Sequence, residues 1–178
     1  MKKKILFFDA DGTLWYPKQT KRRKNPIWIH IELKEIEKIR RGLTLVPGVV
    51  ETLRHLKDMG IKMVVLSVSP LPRREAQERL EGTLEKFGIL DFFDEVHATK
   101  PYFESKGEHI LKIIKKKGLK KSEALMVGDI YIWDFASAKR AGVKCLLFEH
   151  EYDPKKHHYN KVKAKLKSFK EVIKHLGN

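Results

Sequence analysis

The stretch Lys4-Ile5-Leu6-Phe7-Phe8-Asp9-Ala10-Asp11-Gly12-Thr13-Leu14-Trp15 decides how this sequence folds. Its first half is a short run of Ile, Leu and Phe, the pattern of a strand buried on both faces. Its second half sets two carboxylates at the end of that strand, two residues apart. Side chains so spaced on extended backbone point the same way, so Asp9 and Asp11 can face one reacting group. An Asp-Gly turn with two solvated acids would explain the same residues. The choice between them rests on the rest of the chain.

Outward from that stretch, residues 62–66, 95–98, 124–127 and 143–148 form further short apolar runs. Residues 49–59, 75–87, 110–117 and 134–141 carry apolar side chains at i, i+3 and i+4, the helical pattern. Punctuation agrees: Pro47-Gly48 opens one helix, Gly60 and Gly88 close two, and Ala141-Gly142 ends another. Strand and helix alternate, which predicts βαβ units, a mostly parallel central sheet and a three-layer α/β Rossmann-like sandwich. In such sheets functional loops gather at the carboxyl ends of the strands. A final helix is expected through Phe169, Val172, Ile173 and Leu176. Residues 16–44 read as a short insert with a helix of its own over 28–40.

Composition bounds the rest. The chain has 178 residues, which suits one domain over 1–178, and 42% hydrophobic with 34% charged residues excludes broad disorder. Cys145 is the single cysteine, so neither a disulfide nor a multi-thiolate zinc site is expected, and a reducing cytoplasm is the expected setting. No apolar run approaches the roughly 20 residues of a membrane span. Neither Gly-x-x-x-x-Gly-Lys nor Gly-x-Gly-x-x-Gly occurs, so no nucleotide cofactor is implied. The net charge of +15 favours acidic partners such as phosphate esters or nucleic acid.

Three distant segments should meet Asp9 and Asp11 at one sheet edge: the strand end Leu66-Ser67, Lys106 at the start of a helix, and Gly128-Asp129 with Asp134. With these four motifs in order, the sequence resembles the haloacid dehalogenase superfamily of phosphotransferases. The resemblance implies Asp9 as the nucleophile, Asp11 as general acid/base, and Ser67 with Val68 at the phosphate. It further implies Lys106 as the charge-balancing lysine and Asp129 and Asp134 as the acids on the magnesium side. Lys100 competes for the lysine role, but members of the Lys-Gly-Glu type place it 23 residues before the Gly-Asp aspartate, the spacing from Lys106 to Asp129. Ser69 competes with Ser67, which directly follows the apolar run. The form Asp-x-Asp-x-Thr-Leu-Trp, with Ser67-Val68-Ser69 and Ser105-Lys106-x-x-His109, looks like the magnesium-dependent phosphatase subfamily. Gly12 departs from the aromatic residue often found there.

The residue chemistry fits those roles. A carboxylate attacks phosphorus only when a cation shields it from the phosphate's charge, which a lysine and a hard metal ion supply. Oxygen ligands from Asp9, the Asp11 main-chain carbonyl and Asp129 suit Mg²⁺, with Asp134 holding a water. The insert is too short for a large cap, so a minimally capped or uncapped site is expected, with Trp15 at its wall. The expected activity is a magnesium-dependent phosphomonoesterase acting on a phosphorylated small molecule or a phosphoprotein side chain. A nucleic-acid 3′-end phosphatase is the alternative within enzymes, and a non-catalytic nucleic-acid-binding protein is the alternative outside them.

Overall fold

The computed structural model describes residues 2–33, 35–100, 105–150, 152 and 156–177. The five apolar runs become β1 (Ile5–Phe8), β4 (Lys62–Val68), β5 (Glu95–Thr99), β6 (Ala124–Gly128) and β7 (Lys144–Phe148), and the short strands β2 (Trp15–Pro17), β3 (Leu43–Leu45) and β8 (Lys165–Leu166) are added to them. Six of them form one parallel sheet in the order β5-β4-β1-β6-β7-β8. β1 lies near the centre, pairing Ile5 with Lys62 on one side and with Ala124 on the other. All four of its side chains are fully buried, as expected for a strand covered on both faces.

Alternation along β1 splits the core in two. Leu6 and Phe8 face α3 (Val49–Asp58), α4 (Arg73–Lys86) and the closing 3₁₀ turns Phe169–His175, through Leu53, Leu56, Leu84 and Phe169. Ile5 and Phe7 face α5 (Lys106–Lys116) and α6 (Ser137–Arg140), through Ile110, Ile114 and Ala138. The result is the expected three-layer sandwich. The final helix expected near Phe169 is of the tighter 3₁₀ kind, and the two-residue β8 before it is too short to leave a sequence signal.

The insert is a small antiparallel ladder, β2 with β3, enclosing two helices, α1 (Ile27–Glu32) and α2 (Ile36–Gly42). The single helix expected over 28–40 is thus broken, at the extended residue Leu33. Within the Lys21-Arg22-Arg23-Lys24 run, Arg22 folds inward over the Phe148 ring at 4.1 Å, while Lys21, Arg23 and Lys24 remain exposed. No helix among the described residues is long and apolar enough to cross a membrane.

Candidate active site

The carboxyl ends of the three central neighbours β4, β1 and β6 bring together Ser67, Asp9 and Asp129. The Asp9 amide still donates to the Val127 carbonyl at 2.9 Å, so the nucleophile candidate stands on the rigid end of the sheet. Asp9, Asp129 and Asp134 are buried, and an oxygen of each lies within 4.8 Å of the others. Lys106 reaches into them from the first turn of α5, donating to Asp9 and, at 2.6 Å, to Asp134. A capping box fixes that turn: Ser105 Oγ accepts from the Glu108 amide, and Glu108 accepts from the Ser105 amide at 2.7 Å. Lys106 therefore fits the lysine position, whereas Lys100 is exposed just beyond β5.

Asp134 sits on a widened helical turn, Tyr131–Ala136, that runs into α6. Its Oδ2 accepts from the amides of Asp129 and Ile130 at 3.0 and 2.9 Å. Gly128 makes this possible, because a Cβ there would collide with the Asp134 carboxylate. Gly12, at φ +81°, likewise leaves room for the Asp129 carboxylate, where an aromatic residue would not fit.

Asp11 faces another way. Its Oδ1 accepts from Trp15 Nε1 at 2.8 Å, and its two oxygens lie 3.3 and 3.2 Å from Nε2 of His30, on α1. The side chain of Asp11 is thus apart from the three-carboxylate cluster, leaving its main-chain carbonyl as the metal-ligand candidate. Trp15 is almost fully buried, 3% exposed, so its role is to hold Asp11 and wall the cavity. Ser67 and Val68 line that cavity. Ser69 Oγ is used locally, accepting from the Leu71 amide at 3.3 Å.

Electrostatics follow from burial and neighbours. Burial raises Asp9 well above the usual carboxylate range, opposed by the Lys106 charge and assisted by the negative charges of Asp134 and Asp129. Burial also raises Asp134. Burial would lower the Lys106 ammonium, but the carboxylates of Asp134 and Asp9 outweigh it and hold the lysine above its ordinary value. Asp129 ends below the ordinary range, since hydrogen bonding by His150 and Tyr152 outweighs its burial. Asp11 is lowered because His30 outweighs desolvation, and His30 is raised, chiefly by the Asp11 charge.

Three carboxylates face the Lys106 ammonium and, beside Asp129, the Arg22 guanidinium, which leaves excess negative charge in a buried site and is costly unless a further cation joins it. The donor set is all hard oxygen, as Mg²⁺ requires. The residues present therefore fit a divalent cation held by Asp9 and Asp129, with Asp134 behind.

Several contributors carry no local sequence signal. Tyr152 OH donates to Asp129 Oδ2 at 2.5 Å, and His150 Nε2 lies 2.7 Å from the Asp129 carbonyl oxygen. Thr13 Oγ1 donates to Asp129 Oδ1 at 3.4 Å. Only Thr13 lies within the motif already singled out. His30, His150 and Tyr152 are brought in by tertiary structure.

A model of haloacid dehalogenase-like hydrolases matches residues 10–148. The chain belongs to this family. It is 32% identical over 97 residues to pyrophosphatase PpaX of Halalkalibacterium halodurans, covering 54% of this chain and 43% of that protein. It is 29% identical over 109 residues to phosphoglycolate phosphatase of Pseudomonas savastanoi pv. phaseolicola, covering 60% of this chain and 38% of the other. The chain thus spans less than half the length of these curated relatives. Among solved structures, a HAD phosphatase from Thermococcus onnurineus superposes with a TM-score of 0.69 at 23% identity, covering 99% of this chain and 98% of that one. That likeness supports the fold.

Proposed function

We propose that this chain is a magnesium-dependent phosphomonoesterase that works through an aspartyl-phosphate on Asp9, in a reducing cytoplasm where the buried Cys145 stays a thiol. One observation carries the reading: a buried lysine on two members of a three-carboxylate cluster, with a fourth carboxylate held apart for proton transfer. A bound Mg²⁺ would supply charge shielding for the attacking carboxylate and the phosphate.

An Asp9 oxygen attacks phosphorus, and the ester P–O bond breaks. The departing oxygen takes a proton from Asp11. Water then attacks the same phosphorus, Asp11 accepts its proton, and Asp9 is released as a carboxylate with free phosphate. Lys106 neutralises charge on the Asp9 side, while Ser67 and the backbone at Val68 hold phosphate oxygens. Trp15 and His30 fix the direction of Asp11; both contacts favour its carboxylate form, so the proton it passes to the leaving oxygen is one shared with His30, which the Asp11 charge holds above its ordinary pKa. Asp134, anchored by two amides, orients Lys106 as well as the metal side.

Asp9→Asn, nearly the same shape with a poor nucleophile, is expected to abolish turnover of phosphate esters while leaving the circular dichroism unchanged. Activity should require Mg²⁺ and fall when Ca²⁺ replaces it, since Ca²⁺ takes longer bonds and more ligands. Full activity in excess chelator contradicts the metal-dependent reading. A 3′-phosphorylated nucleic-acid end is the second reading, favoured by exposed Lys21, Arg23 and Lys24 directly before Asn25 and Pro26, which line the cavity.

A further inference from the structure

Asp9, Asp11, Ser67 and Lys106 are among the residues that line a cavity of about 640 Å³. Cavities of ~300 to 1,000 Å³ are the size that encloses drug-sized ligands. A phosphoryl group is far smaller than this volume, so one held at Asp9 and Lys106 would leave most of the space to the organic part of an ester. The space beyond lies between the insert and α4, and its walls include Trp15, Ile36, Ile39, Leu71, Leu80 and Trp133. Leu80, Ile39 and Trp15 are nearly fully buried, so this wall is part of the packed core and is preformed.

The charged groups on the same wall are already engaged. Arg79 donates to Glu75 at 2.6 Å, and His30 pairs with Asp11. A second anionic group on the leaving side would compete with Glu75 for Arg79 and with Asp11 for His30. An apolar body displaces water from apolar wall at no such cost. Hydrophobic walls with a few placed polar groups are the usual make-up of sites for organic ligands.

We infer that this cavity is a leaving-group chamber for a bulky apolar or aromatic phosphate monoester, in contrast to a short ester with a second anion. The inference rests on the phosphatase reading for the orientation of the ligand, with phosphate at Asp9 and Lys106 and the organic body under the insert. The insert therefore sets substrate class: α1 contributes His30 to the acid/base, and α2 contributes Ile36 and Ile39 to the chamber.

The test uses binding, which does not require chemistry. Dissociation constants of the full chain with Mg²⁺ are measured by calorimetry for 3-phenylpropylphosphonate, propylphosphonate and 3-phosphonopropionate. Burial of the phenyl ring should tighten binding by about tenfold to a hundredfold over propylphosphonate. The carboxylate analogue should bind no better than propylphosphonate. Ile36→Asp, at the first residue of α2, should bring the phenylpropyl preference close to one. Equal affinities for the first two ligands, or tightest binding of 3-phosphonopropionate, would overturn the inference. Turnover of the matching esters separates the two readings: phenylpropyl selectivity in binding with no hydrolysis of any ester counts against the phosphatase alone.

Discussion

At the scale of single residues, the site is governed by how few cations serve how many buried carboxylates. Lys106 is buried between Asp9 and Asp134, so its charge acts at short range in a dry environment. Lys106→Ala is therefore expected to lower kcat by about a hundredfold to a thousandfold, the scale of losing one oriented charge-stabilising group. Lys100→Ala, at an exposed position, should stay within about twofold of the parent, as surface substitutions usually do. Steady-state kinetics on both variants decides between them, and the reverse ranking would reassign the lysine to Lys100. The motif residues were legible because chemistry restricts them to few types at fixed spacing. His30, His150 and Tyr152 were not, since a lone histidine or tyrosine looks the same in sequence whether it touches Asp11, Asp129 or solvent.

Among the elements, what was legible followed from period. Short doubly buried strands and amphipathic helices declare themselves, and α3, α4, α5 and the five longer sheet strands lie where the pattern put them. The insert was less legible because its helices are six and seven residues long, too short for a sustained period, and depend on packing of α1 on α2 and of α2 on α4 and β3. The turn after β6 shows how an element serves the site. Gly128 lets the Asp134 carboxylate fold back onto the amides of Asp129 and Ile130. Gly128→Ala should cost about 1 to 3 kcal/mol, since the added methyl must displace a fully buried carboxylate, and should reduce kcat through Asp134 and Lys106. Urea unfolding with parallel kinetics checks it, and an alanine variant matching the parent in both would show that the close approach at this turn is dispensable.

For the whole molecule, the large positive charge is the feature least tied to the fold. Between Lys18 and Arg41 nine Lys or Arg stand against three Glu, a net +6. Within that count Arg22 packs inward on Phe148, and Lys24 pairs with Glu32 at 3.3 Å. Because solvated surface lysine and arginine with no base-reading motif beside them give little selective attraction for a polymer, kcat/KM for a 3′-phosphorylated oligonucleotide and for a small uncharged-bodied phosphate ester should share a shallow salt dependence. A steep fall for the oligonucleotide alone, lost when Lys21, Arg23 and Lys24 become Ser, would instead favour the nucleic-acid reading. Whichever ester is native, the molecule is organised so that three neighbouring strands deliver their ends to Asp9. Rapid acid quench during turnover with Mg²⁺, followed by peptide mapping by mass spectrometry, tests that claim most directly. The account predicts a phosphoryl group on the peptide carrying Asp9, absent from Asp9→Asn; an active enzyme that hydrolyses ester at full rate with Asn at this position, or that carries its phosphoryl group on another residue, would contradict it.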